Sequence, residues 1–448
     1  MKTEKKWIVS FVVISLISVA ALFWKTEIPL PVSGEFISED NIVGADVAWI
    51  LSAAGLVLLM TPGLSFFYGG MVGSKNVIST MLQSFIALGV ISILWVVVGF
   101  SLSFGESLGF TYNGIHYGII GNPLSYPFLS RVGTLPHHVM APTIPFILFA
   151  LFQMKFAVIT PALITGSFAE RVRFISYLLF MVLFSLFIYT PLCHMVWHPE
   201  GLLNKFFGVK DFAGGTVVHM SAGFAALAGA IVLGRRKNPH HKPSNIPFVL
   251  LGTGMLWFGW FGFNAGSALA ANATAAMAFG TTTIASASAM ITWIFFDRIC
   301  GRKVSALGAS IGAVVGLVAI TPAAGFVTIA ESLFIGFVSA IISNLMMNWK
   351  ELKKIDDTLD VFACHGVGGI MGMVLTAIFA HGENASLLHG GWSVFGHHML
   401  ALVLVSVFTF FGAVLLYKIT DFIIPLRVSE ESEHLGLDLS QHDESIGF

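Results

Sequence analysis

The chain has 448 residues, 56% of them hydrophobic and only 10% charged, with a mean hydropathy of +0.85. Soluble domains carry roughly 25% charged residues, so a soluble fold is excluded and an integral membrane protein is expected. The formal net charge of −1 leaves no basic excess for nucleic acid, and Cys193, Cys300 and Cys364 show neither CxxC nor framework spacing, so no disulfide is expected.

In chain order, residues 1–28 place Lys2, Lys5 and Lys6 before an apolar run, the pattern of a signal peptide or of an extra N-terminal helix. Apolar runs then follow at roughly 47–67, 77–104, 142–169, 175–196, 212–234, 246–264, 271–296, 304–320, 325–347, 361–380 and 399–417. Their lengths suit the roughly 20-residue helix that crosses about 30 Å of hydrocarbon, not the alternating strands of an outer-membrane barrel. The expected fold is an all-α integral membrane protein of about eleven transmembrane helices, with a membrane domain at 46–425 and a tail at 426–448.

Basic residues fall in alternate loops: Lys75; Arg171 and Arg173; Arg235, Arg236, Lys237 and Lys242; Arg298, Arg302 and Lys303; Lys350, Lys353 and Lys354; and Arg427. The loops between them hold only Arg131, Lys205 and Lys210. The positive-inside rule therefore puts the start of the eleven spans outside and the tail in the cytoplasm. A loop of about 37 residues separates the second and third spans, and the acidic tail reads as a solvated end.

Two histidines are set deep in apolar runs, His219 in the fifth and His365 in the tenth. Polar groups at membrane depth face a bundle interior or a cavity. The two lie five spans apart in order, an odd number, so their helices run in opposite directions, as a five-plus-five inverted repeat followed by a final helix would give, with a shared site near the midplane. Each histidine also follows an aspartate near the start of its span, Asp211 and Asp360. The bland alternative is two unrelated histidines satisfied by backbone or hydroxyls. Gly308, Gly312 and Gly316 form a small-residue ridge, and Gly366, Gly369 and Gly372 flatten the face beside His365; both suit close helix packing.

Several long motifs carry a resemblance in order along the chain: TPGLSFFYGGMV at 61–72, FAERVRF at 168–174, DFAGGTVVH at 211–219, GWFGFNAGSA at 259–268, DDTLDVFACHGVGG at 356–369, and LRVSEESEHLGLDLSQH in the tail. Together they resemble the Amt branch of the ammonium transporter (Amt/Mep/Rh) family. The likeness spans about 46–442.

That resemblance implies a pore through each subunit lined by the pair His219 and His365 and walled nearby by Trp260. It implies an outer recruiting site for ammonium at Phe156, Trp197 and Ser267, with Phe156 and Phe263 stacked beneath as a gate. Asp211 would stand beside that site as a helix cap, an electrostatic aid, or both. Lys155, next to Phe156, and His198, next to Trp197, are the two positions that would disturb such a vestibule. The resemblance further implies a homotrimer in a plasma (inner) membrane, contact with membrane lipid, a PII-class regulatory protein at the cytoplasmic face, and no enzymatic reaction, cofactor or metal. A sensor of the same fold is the near alternative. A haem held by the two histidines is the remote one, for which the usual further histidine pairs are missing from the spans.

Overall fold

The computed structural model describes residues 5–24, 34–239, 242–349, 354–382 and 385–446. Ten helices among these are long and apolar enough to cross a membrane: Gly44–Met71, Val77–Phe104, Phe146–Ser167, Phe174–Trp197, Gly215–Leu233, Ile246–Gly266, Ala273–Ile299, Ile329–Met347, Phe362–Phe379 and Trp392–Ile423. The eighth expected span, 304–320, is the shorter helix Ala306–Ile320. Its 15 residues rise only about 22 Å, and turns follow it from Thr321. The N-terminal helix Lys5–Phe23 leaves Phe11, Leu16 and Leu22 exposed; residues 1–4 and 25–28 lie outside the described residues, as do Lys350, Lys353, His240 and His241.

Small residues allow the helices to touch. The first and sixth spans, counterparts in a five-plus-five repeat, meet backbone to backbone: a Cβ at Gly252 would lie 2.3 Å from Phe67 N, and one at Gly262 would lie 2.6 Å from Ala53 O. The ridge at Gly312 and Gly316 packs onto the seventh span, where added Cβ atoms would approach Trp293 Cβ at 2.6 Å and Ala285 O at 2.5 Å. The eleventh span lies across the fourth and fifth, with Tyr417 stacked on Phe180 at 3.8 Å and donating to Ala225 O at 3.3 Å.

Two features depart from expectation. The loop after the second span contains a β-hairpin, Ser107–Tyr112 paired antiparallel with Ile115–Gly121. Asn113 and Gly114 turn it with φ of 50° and 76°; positive φ at both central positions is what the Asn-Gly pair favours. The tail is also docked, not merely a solvated end. Asp438 accepts the Ser79 N–H at 2.7 Å at the start of the second span, and Asn76 accepts the Leu437 N–H at 2.8 Å. Arg427 donates to Leu233 O at 2.8 Å and pairs with Glu433 at 2.8 Å.

Candidate functional site

The fifth span starts on the hairpin face with a cap built from one carboxylate. Asp211 Oδ1 accepts the Gly214 and Gly215 N–H groups at 2.8 and 2.7 Å, and Oδ2 accepts the Thr216 N–H at 2.7 Å and its hydroxyl. Gly214 has φ of 123°, a conformation open to glycine. The helix opens in π form over Gly215–Met220, with the His219 N–H bonded to Gly214 O. π turns recur at functional sites because they re-aim a side chain.

The tenth span repeats this from the opposite face. It opens in π form over Phe362–Val367, and its cap is Asp357, whose Oδ2 accepts the Phe362 N–H at 2.7 Å. Asp357, not Asp360, is thus the counterpart of Asp211: each stands eight residues before its histidine. Asp360 instead adopts φ of 55° and offers its carbonyl to the Cys364 N–H. Burial pushes the Asp357 carboxyl up from 3.8 to about 6.

The two helices cross in backbone contact, where a Cβ at Gly223 would fall 2.2 Å from Gly366 N. That contact brings the histidines together. His219 Nδ1 and His365 Nδ1 are 3.3 Å apart, so one carries the proton they share, and the rings are 1% and 3% exposed. His219 Nε2 is buried and has no hydrogen-bond partner among the described residues. An unmet buried polar atom costs about 1–3 kcal/mol.

Aromatic rings continue the line toward the hairpin face. Trp260 stacks on His219 at 5.3 Å and is held by its Nε1–H bond to Thr321 Oγ1 at 2.8 Å. Phe263 lies 6.0 Å from His219 and 4.2 Å from Phe156, which in turn meets Trp197 edge-on at 5.7 Å. Trp197 donates Nε1–H to the Asp211 carbonyl at 3.1 Å, so the helix cap also orients this ring. Ser267 donates to Phe263 O at 2.8 Å, which leaves its own oxygen free to accept.

Two cavities lie along this line. One of about 210 Å³ is walled by Gln153, Phe156, Trp197, Phe212 and Ser267, among others. The other, about 10 Å³, is walled by His219, His365, Trp260, Phe263 and apolar side chains such as Ile159, Leu163 and Val314. It has room for about one water-sized molecule. Phe156 lines the first and Phe263 the second, so their contact divides the two.

Lys155 is half-buried and walls neither cavity. His198 turns away as well, stacked on His194 at 4.3 Å, and burial pulls it down to about 3, so it carries no charge at neutral pH. The sequence singled out every ring on the line but not Thr321, Gly223 or Asp357. For Asp357 the equal spacing to the histidine was the available signal.

The profile of the Ammonium Transporter Family matches residues 48–446. The chain is 42% identical over 414 residues to an ammonium transporter of Aquifex aeolicus, covering 91% of this chain and 95% of that one. Among solved structures it is similar to Candida albicans Mep2, with a TM-score of 0.80 and 32% identity over 88% of each chain. It is also similar to a sensor Amt protein, with a TM-score of 0.81 and 30% identity over 90% of this chain and all of that one.

Proposed function

The chain belongs to the ammonium transporter family as a multi-pass membrane protein, and from that premise we propose that it moves ammonium by splitting it into ammonia and a proton. The observation that carries this reading is the His219–His365 pair, with an unpartnered Nε2, in an apolar space large enough for about one small molecule.

Ammonium enters from the hairpin face, taken as the outside. In the larger cavity the faces of Phe156 and Trp197 attract the cation at about 0.5–2 kcal/mol each, and Ser267 accepts an N–H bond. Moving a bare cation further would meet an idealised Born cost on the order of tens of kcal/mol, whereas neutral ammonia needs only a few hydrogen bonds. Ammonium therefore gives up its proton to solvent water on the entry side, as hydronium, and passes the Phe156–Phe263 gate as ammonia. His219 and His365 then offer donors and acceptors in an otherwise apolar passage, beside the wall of Trp260. K+ has no proton to lose and is rejected. The chain performs no enzymatic turnover in this scheme.

The assembly we propose is a homotrimer in a plasma (inner) membrane, surrounded by lipid, with one pore per subunit, the tail in the cytoplasm, and a PII-class protein as regulatory partner there. The likeness to a sensor Amt protein supports a second reading, binding of ammonium with little flux.

Currents from proteoliposomes on a solid-supported membrane, with an internal pH dye, test both readings. We expect ammonium pulses to give a current or a pH change and K+ pulses to give neither. His219→Ala and His365→Ala should each lower the ammonium response at least tenfold or admit K+. Unchanged rates and K+ rejection in both variants would sink the histidine mechanism, and a wild type silent in both signals would favour the sensor.

A further inference from the structure

On the tail face lies a polar cavity of about 410 Å³ that conduction does not use. Its walls come from parts of the chain far apart in sequence: Lys75 and Asn76 after the first span, Asn238 and Lys242 after the fifth, and Glu433 and His434 on the tail helix Glu430–Leu435.

The carboxylates at this cavity are already paired. Glu170 accepts Arg236 Nη1 at 2.8 Å and the Gly73 N–H at 2.7 Å, while Glu433 accepts Arg427 at 2.8 Å and the Lys237 N–H at 2.6 Å. Lys75 and Lys242 are exposed, and among the described residues neither ammonium group has an ion pair. Two unpaired positive charges from separate loops thus face one concave, polar space. Its volume falls in the range of small-molecule sites, roughly 300–1,000 Å³. Each lysine brings three N–H donors on a compact charge, which suits phosphate oxygens.

We propose that this cavity binds a phosphate-bearing anion, clasped between Lys75 and Lys242. The charge of such a ligand matches the pair, and either a soluble phosphate compound or the headgroup of an anionic lipid supplies it. Binding also braces the tail. The Lys75 carbonyl accepts the Asp438 N–H at 3.1 Å, a Cβ at Gly436 would come within 2.4 Å of Lys75 Cβ, and His434 Nδ1 lies 3.2 Å from Asn238 Nδ2. A ligand spanning the two lysines ties both loops to these tail contacts.

The test uses the full chain in neutral detergent, titrated calorimetrically with inorganic pyrophosphate, and the same chain in nanodiscs of phosphatidylcholine with or without phosphatidylglycerol. We expect saturable pyrophosphate binding with a rise in melting temperature, weakened at least tenfold in Lys75→Gln/Lys242→Gln and kept in Lys75→Arg/Lys242→Arg. Ammonium flux of the glutamine variant should stay at the wild-type level. If pyrophosphate does not bind but phosphatidylglycerol co-purifies with the wild type and is lost from the glutamine variant, the ligand is a lipid headgroup and the assignment stands. Absence of both, or equal binding by the glutamine variant, overturns it.

Discussion

Asp211 shows how much one side chain can be committed to structure. Both of its oxygens are taken, by three N–H groups and one hydroxyl of its own helix start, and its carbonyl orients Trp197. Charged hydrogen bonds contribute about 1.5–3 kcal/mol each, and Asp211→Asn would point an NH2 group at donors. We expect that variant to lose roughly 3 kcal/mol or more, read as a lower melting temperature in detergent. If it melts like the wild type yet recruits ammonium poorly, Asp211 serves through its charge instead. The residue types on the central line were legible in the motifs, because histidines and aspartates are conspicuous in apolar runs. The aim of a side chain was not. Asp357 and Asp360 lie three residues apart in one polar stretch, and only the fold turns the first into the cap.

At the scale of the element, the decisive contact is the crossing of the fifth and tenth spans. Gly366 beside His365 was readable as a flattened face, whereas Gly223 lay unmarked among alanines, and only the crossing explains why Gly223 lacks a side chain; at Gly366 a Cβ would first meet the Phe362 ring, at 2.6 Å. A methyl at Gly223 would sit 2.2 Å from Gly366 N and 2.3 Å from its Cα, and backbone cannot yield as a side chain does. Overpacking of this kind costs about 1–3 kcal/mol. Gly223→Ala should therefore separate the histidines and cut ammonium flux several-fold, while Gly254→Ala, which meets nothing within 4 Å, should be silent. Equal flux in both variants would show that the crossing tolerates the shift. Apolar run lengths located the spans well because burial in lipid demands them. They located the eighth helix as well, and said little only about the hairpin, whose Asn-Gly signal is local and polar.

At the scale of the molecule, inner loops and tail meet in a charged network. Arg236 bonds Glu170 at 2.8 Å and Asp356 at 2.7 Å with its side chain nearly buried, and Arg171 donates to Thr358 Oγ1 at 2.6 Å and Asp356 O at 2.8 Å. Burial alone would raise the Asp356 carboxyl, but hydrogen bonds from Arg236 outweigh it and hold the group below its ordinary value. Asp357 goes the other way, up to about 6, because burial outweighs the backbone hydrogen bonds it accepts and the nearby charge of Arg171. The signs differ accordingly. Asp356 adds stability above its ordinary value, lost as pH falls through its lowered one. Asp357 favours the fold fully below 3.8, and that contribution fades as pH rises through about 6. A difference of this size corresponds to about 3 kcal/mol at most. Other groups titrate in the same window, so the informative quantity is the gap between two proteins. Asp357→Asn keeps an oxygen for the Phe362 N–H and cannot ionise. Its melting temperature relative to the wild type should climb between about pH 4 and pH 6 and level off above, since only the wild type pays for a buried charge there. A gap that stays constant with pH would mean that Asp357 is already ionised in the fold, with Arg171 compensating for its burial.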